Sequence, residues 1–139
     1  MVFYIPGIPT GKGRPRFART AKGVKTFTPQ KTVVYENLVR MAYKQAGGKY
    51  MLDENIRAEI TAYYDIPKST SKKRRAAMLA GMEYPGKKPD CDNVAKIVLD
   101  ALNGIAYRDD AAVVELMVKK RYGEQPGVYV TIERLKAVT

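Results

Sequence analysis

The sequence of 139 residues contains no histidine and a single cysteine, Cys91. Without histidine, the chain has neither a Ser-His-Asp or Cys-His catalytic site nor a metal site built on His ligands. One cysteine excludes an internal disulfide framework and zinc fingers, and it is typical of a reducing compartment. Catalysis by this chain would therefore depend on carboxylates, Lys, Arg, Tyr, Ser or Thr.

Long apolar runs are also lacking. No apolar run approaches the roughly 18 residues of a membrane span, so we expect no membrane partner. The N-terminus lacks the basic region and the long apolar segment of a signal peptide, which favours a cytoplasmic location. The composition, 45% hydrophobic and 28% charged, is that of a globular protein. This length predicts a single domain over residues 1–139.

Positive charge is abundant and unevenly distributed. The formal net charge is +11, of which residues 1–50 carry +9, residues 51–89 carry +3 and residues 90–139 carry −1. A strongly cationic domain usually binds a polyanion, because each neutralised phosphate releases counterions. We therefore expect a nucleic-acid partner. A solvated positive surface and an acidic protein partner are the alternatives.

Apolar periodicity and turn residues predict the order strand, loop, helix, strand, helix, helix, strand, strand. The predicted elements are a strand over 2–8, a cationic loop over 10–25, a helix from 28–29 to 47–48, a strand over 56–66, helices over 69–80 and 93–103, and strands over 113–121 and 128–135. The first helix would bury Val34, Leu38, Met41 and Ala42. This order predicts an α+β fold, a two-layer domain with helices packed on one sheet.

Acidic residues cluster around the predicted helix 93–103. Asp90 and Asp92 precede it, and in an extended segment residues two apart project to the same side. Lys96 follows Asp92 by four residues and shares its helix face. Asp109 and Asp110 come after the helix, where the next strand could return them toward these groups. Carboxylates suit Mg²⁺, which would polarise a phosphodiester and activate water, while Lys96 stabilises negative charge.

Each of these residues also has a purely structural interpretation. Asp92 could cap the helix, as could Asn93. Asp92 and Lys96 could form an ordinary surface pair. Asp109 and Asp110 could simply be turn formers, a position that Asp favours. From the residues alone, both the metal site and these structural roles remain open.

Two segments are similar to a known family. Residues 90–103 read Asp-Cys-Asp-Asn-Val-Ala-Lys-Ile-Val-Leu-Asp-Ala-Leu-Asn, and residues 107–114 read Tyr-Arg-Asp-Asp-Ala-Ala-Val-Val. They resemble the RusA family of Holliday junction resolvases, or crossover junction endodeoxyribonucleases, common in prophages. Its pattern is Asp-x-Asp-Asn-x-x-Lys, a helix with Asp-Ala-Leu, then Asp-Asp before a strand. The Gly-Lys-Gly-Arg-Pro-Arg-Phe, Thr-Phe-Thr-Pro and Ile-Pro-Lys-Ser stretches also resemble bacteriophage-type members.

The resemblance implies roles for five residues. Asp90 and Asp92 match the metal-binding acids, Asp110 matches the third catalytic acid, and Asp109 matches its acidic neighbour. Lys96 matches the catalytic lysine. The resemblance further implies that the protein has a mixed β-sheet and forms a homodimer. It also implies that the dimer uses Mg²⁺, or alternatively Mn²⁺, to make paired nicks in four-way DNA. A two-fold junction needs two symmetric cuts, which a dimer supplies.

Cys91 departs from the family pattern, in which an aliphatic residue is commoner at that position. Because cysteine behaves as a small hydrophobe, we expect little change beyond sensitivity to oxidation.

The basic loop and the start of the second predicted helix would hold DNA phosphates. The residues concerned are Lys12, Arg14, Arg16, Arg19, Lys22, Lys25, Lys72, Lys73, Arg74 and Arg75. Specificity would come from junction shape more than from base edges. The alternatives are a non-catalytic branched-DNA-binding protein and an endonuclease that prefers flaps or forks.

Overall fold

The computed structural model describes residues 1–13 and 16–136, except the side chain of Arg16. These residues form a four-stranded sheet, a separate two-stranded hairpin and three α-helices. The elements are β1 (Val2–Pro6), β2 (Arg16–Thr20), β3 (Gly23–Phe27), α1 (Gln30–Gln45), β4 (Asn55–Asp65), α2 (Lys72–Leu79), α3 (Cys91–Ala101), β5 (Val113–Gly123) and β6 (Gly127–Leu135). None of the described helices is long and apolar enough to cross a membrane.

The sheet has the strand order β1-β6-β4-β5, in which β4 and β5 are parallel and the other neighbours are antiparallel. Its core face is formed by alternate residues of β1, β4 and β6, and the apolar stripe of α3 is buried with them in one core. The predicted inward positions of β4 and α3 are buried: Ile56, Ala58, Ile60, Ala62, Tyr64, Val94, Ile97, Val98, Ala101 and Leu102. The α+β fold with a mixed sheet and helices on one face is confirmed.

The cationic segment 10–25, expected to be a loop, contains a β-hairpin instead. Residues 16–20 pair with 23–27 through a two-residue turn. Thr20 Oγ1 donates a hydrogen bond to the Gly23 carbonyl at 2.8 Å, and Gly23 has φ +116°, a conformation that favours glycine. All five residues of β3 are exposed, so no buried face marked this hairpin in the sequence.

The apolar stripe predicted for α1 is confirmed in part, because Leu38 and Ala42 are partly buried and pack against the core, whereas Val34 and Met41 face solvent. Val34 and Met41 are 57% and 55% exposed. The helix instead buries Tyr35, Val39 and Tyr43, which follow one another at four-residue spacing. The sequence holds two overlapping apolar stripes, and the one that faces the core is the one with the larger aromatic side chains.

Candidate active site

The helix that carries the predicted site starts earlier than expected. It begins at Cys91, so Asp90 is the cap residue, and neither Asp92 nor Asn93 takes that place. The Asp90 carboxylate makes no cap hydrogen bond within the described part of the chain. Asp92 lies exposed in the first turn, where a negative charge is favourable to the helix dipole. The capping interpretation of Asp92 is therefore wrong. Cys91 is exposed beside it.

Tyr64, at the end of β4, fixes the backbone that leads into this helix. Its hydroxyl donates a hydrogen bond to the Pro89 carbonyl at 2.6 Å. Burial, together with the nearby Cys91 and Asp90, raises the pKa of Tyr64 to about 12. The hydroxyl therefore stays protonated as a donor at neutral pH. This contact places Asp90 and Asp92 at one end of the core.

One face of α3 is polar along its whole length. Asp92, Lys96 and Asp100 follow at four-residue spacing and so share that face. Lys96 is exposed, and Asp100 is partly exposed. At 1.5 Å of rise per residue, Asp100 lies about 12 Å along the axis from Asp92, with Lys96 midway. Asp100 is a residue of the site that the sequence reasoning missed, although its spacing from Lys96 was a readable signal.

The segment Gly11–Gly13 crosses this polar face near the start of α3. The Lys12 backbone N–H donates to the Asn93 carbonyl at 3.2 Å. A Cβ at Gly11 would come within 3.0 Å of the Pro89 Cβ and 3.1 Å of the Asn93 Cβ. Glycine thus permits the close approach of this segment to α3.

Lys12, predicted to contact DNA phosphate, is directed toward two carboxylates. Its Nζ lies 2.9 Å from Glu36 Oε2 and 3.6 Å from Asp100 Oδ2. Glu36 is only 9% exposed, so the loss of Lys12 would leave a mostly buried carboxylate without this ionic partner. Lys12 therefore links α1 to the polar face of α3.

We expect Lys12→Met to lower the free energy of unfolding by about 1–3 kcal/mol, because Glu36 would lose its ionic partner in a mostly buried position. Urea denaturation measures the change. Lys22→Met, which removes an exposed hairpin lysine, is the matched control and should stay within about 0.5 kcal/mol of the parent. Equal midpoints for the two variants would contradict the linking role of Lys12.

A tight turn after α3 brings the second acidic pair back against the helix. The Gly104 N–H donates to the Tyr107 carbonyl at 2.7 Å, and the buried Tyr107 hydroxyl donates to the Leu99 carbonyl at 2.6 Å. Asp109 Oδ2 accepts a hydrogen bond from the Ala111 N–H at 3.3 Å and caps a short 3₁₀ turn. The turn-forming interpretation therefore holds for Asp109.

Asp110 lies beside Asp100. Burial raises the pKa of the Asp110 carboxyl group, and the carboxyl groups of Asp100 and Asp109 raise it further. Two adjacent carboxylates repel each other, and a divalent cation held by oxygen ligands would relieve that repulsion. The donor set therefore fits Mg²⁺, which typically takes one or two carboxylates and completes its shell with water and phosphate.

The predicted acids are not gathered into one cluster. Asp110 meets Asp100 and Asp109, whereas Asp90 and Asp92 lie at the N-terminal end of α3. Among residues 1–13 and 16–136, no group of three or more acidic or cysteine side chains is close enough to hold a metal ion. The candidate site thus consists of two acidic groups, one at the N-terminal end of α3 and the other at Asp100 and the turn after the helix, with Lys96 between them along the helix axis.

The predicted DNA-binding cations occupy two surfaces. Arg19, Lys22 and Lys25 are exposed on the hairpin, whereas Arg14 and the side chain of Arg16 lie outside the described residues. At the start of α2, Ser71 caps the helix by accepting from the Arg74 N–H at 3.3 Å. The remaining predicted cations belong to this helix: Lys72 and Lys73 are exposed, Arg75 is partly exposed, and Arg74 pairs with Glu83 at 2.7 Å.

Comparison with known proteins gives two findings. A family model described as endodeoxyribonuclease RusA matches residues 6–133, nearly the whole chain. The uncharacterized protein YqaN of Bacillus subtilis (strain 168) is 34% identical over 137 residues, which cover 97% of this chain and 96% of that protein. Both matches include α3 and the acidic turn that follows it.

Proposed function

Since the chain belongs to the RusA family of endodeoxyribonucleases, we propose that it is a Mg²⁺-dependent, structure-selective nuclease that resolves four-way DNA junctions by paired, symmetric nicks. The observation that carries the proposal is the polar face of α3, where acids at both ends flank Lys96. On a protein of net charge +11, acids facing DNA would repel it unless a cation intervened.

The acidic groups have distinct roles in this proposal. Asp90 and Asp92 at one end, and Asp110 with Asp109 at the other, would hold Mg²⁺ or Mn²⁺. When bound, the metal polarises the phosphodiester and lowers the pKa of a water molecule. Lys96 would place its ammonium group near the negative charge that develops on the phosphate. Asp100 would orient Asp110, its direct neighbour.

Symmetric cutting needs two sites related by a two-fold axis, and we propose a homodimer for that reason. One of the two outer strands of the sheet supports it: within the described residues β5 pairs only with β4. Its Val114, Leu116 and Met117 are exposed. An unpaired strand edge with exposed apolar side chains favours association with a second copy. We place the reaction in the cytoplasm.

The test is cleavage of a synthetic four-way junction in which each strand is end-labelled in turn. With Mg²⁺, we expect cuts at symmetric positions in two opposing strands, and none in EDTA. A linear duplex, a flap and a replication fork of the same sequence serve as controls. Faster cutting of the flap or fork would contradict junction resolution. Tight, salt-sensitive binding without nicking would identify a non-catalytic binding protein instead.

A further inference from the structure

The loop that precedes α3 is held by contacts to β4 and β5. The Arg121 guanidinium lies 4.8 Å from the centroid of the Tyr84 ring. Lys120 Nζ donates a hydrogen bond to the Lys87 carbonyl and lies 5.2 Å from the centroid of the Tyr64 ring. Together with the Tyr64 hydroxyl on Pro89, these contacts hold the loop at three points. Its conformation is therefore set before any ligand arrives.

This loop and the end of β5 form a cationic surface. It was not evident from the net charge of sequence segments, because its residues come from two of them. Lys87 and Lys88 are exposed, and Lys120 and Arg121 are partly exposed beside them. The two strand cations belong to the segment 90–139, whose net charge is −1, yet the fold places them next to the loop. We call Tyr84, Lys87, Lys88, Lys120 and Arg121 the loop–strand surface. Lys88, the last of these residues in the loop, precedes Asp90 by two positions.

Tyr84 stands out on this surface because it is 62% exposed. Its ring has the Arg121 guanidinium over it, an arrangement that favours stacking. A base inside a duplex is covered by its neighbours on both faces, whereas an unpaired base offers a face to an aromatic ring. In a branched DNA such a base becomes available at the point of strand exchange, where continuous stacking along the duplex is interrupted.

We propose that the loop–strand surface binds the DNA strand that reaches Asp90, with its cations on phosphates and the Tyr84 ring stacked on an unpaired base at the branch point. The inference rests on the proposed function for its substrate, branched DNA. It adds a role for residues outside the acidic face of α3. If Tyr84 served only to cover Arg121, its removal would change stability without changing the preference for branched DNA.

The test measures binding of the full-length protein in EDTA, so it does not depend on cleavage. The probes are a four-way junction with 2-aminopurine at the branch point and a linear duplex of the same sequence. We expect Tyr84→Leu to weaken junction binding about tenfold, the effect of losing one stacked base, while duplex binding changes less than twofold. The change in 2-aminopurine fluorescence on binding should disappear.

Three further variants keep the outcome decisive. Tyr84→Phe retains the ring and should retain both affinity and fluorescence change. Lys87→Gln combined with Lys88→Gln should weaken the binding of both DNA probes. It should also reduce the slope of binding affinity against salt concentration by about 2. Tyr50→Leu is the control, since Tyr50 is 48% exposed in the loop after α1. Junction binding by Tyr84→Leu at parental strength, or equal losses on both probes, would overturn the proposal.

A failure of the proposed function would look different. If the protein cut no junction but Tyr84→Leu still lost junction binding selectively, the loop–strand surface would stand while the nuclease assignment fell. If Tyr84→Leu cut junctions normally at saturating protein and its affinity were unchanged, the proposal for the loop–strand surface would be overturned while the nuclease assignment stood.

Discussion

Asp92→Asn should reduce the rate of junction cleavage at saturating protein by at least about 100-fold, the scale of losing one group that acts on the transition state. Asparagine preserves the shape of the side chain but removes the charge that a divalent cation requires. Junction affinity should stay equal or rise slightly, because one negative charge facing phosphate is removed. Single-turnover cleavage and metal-free binding measure the two quantities separately.

Two comparisons distinguish this result from damage to the fold. Because Asp92 is exposed in the first turn of α3, its loss should cost no more than the 0.3–1 kcal/mol or so of a charge at a helix N-terminus. Glu124→Gln makes the same charge change in the turn between β5 and β6 and should cut normally. Cleavage by Asp92→Asn within threefold of the parent would remove Asp92 from the site.

Asp110→Asn extends the same experiment to the other acidic group. It should lose cleavage as Asp92→Asn does, yet gain stability, because Asp110 lies against Asp100 and Asp109 and their repulsion would be relieved. If Asp110 instead contributed to folding, its replacement would lower the stability. Loss of stability together with unchanged cleavage would assign Asp110 to the turn alone.

The sequence predicted the buried elements well because each has one unambiguous apolar period. In β4 the alternation from Ile56 to Tyr64 coincides with burial, and in α3 the stripe from Val94 to Leu102 does so too. The hairpin over 16–27 escaped prediction because it has no buried face to impose a period. In α1 two stripes competed, and the choice between them depends on the packing of Tyr35 and Tyr43 in the core.

The site was predicted less completely, since it depends on distances between elements. Local spacing was enough to place Lys96 on the same helix face as Asp92, but it could not show that Asp110 would meet Asp100. Nor could it show that Lys12 would point toward Glu36. Both contacts join residues far apart in the chain, and they depend on the turn after α3 and on the path of Gly11–Gly13.

The fold distributes the charged residues over the surface differently from their distribution along the sequence. In the cationic N-terminal segment, Lys12 forms an ion pair with Glu36, whereas the cations of the hairpin are exposed. The slightly acidic C-terminal segment contributes Lys120 and Arg121 to a cationic surface beside Asp90. The cations of the loop–strand surface thus lie at the N-terminal end of the acidic face of α3, an arrangement that suits holding phosphates next to it.

Lys96→Gln should lower the cleavage rate about 100-fold while leaving junction affinity within about threefold. Lys96 is exposed on α3 and shares a helix face with Asp92 and Asp100, each four residues away. Their negative potential makes it a poor general anchor for phosphate. Its charge is better used on the developing negative charge of the reacting phosphate, which affects the rate and not the binding.

Lys22→Gln on the hairpin is the matched control, since it removes the same charge from an exposed cationic surface. It should weaken binding and reduce the salt-dependence slope by about one, with little change in the rate at saturation. The Lys96 variant should therefore change the cleavage rate and not the affinity, and the Lys22 variant should change the affinity and not the rate. If Lys96→Gln weakened binding as Lys22→Gln does and cut normally once bound, Lys96 would be a phosphate anchor, and α3 would supply its acids without a catalytic cation.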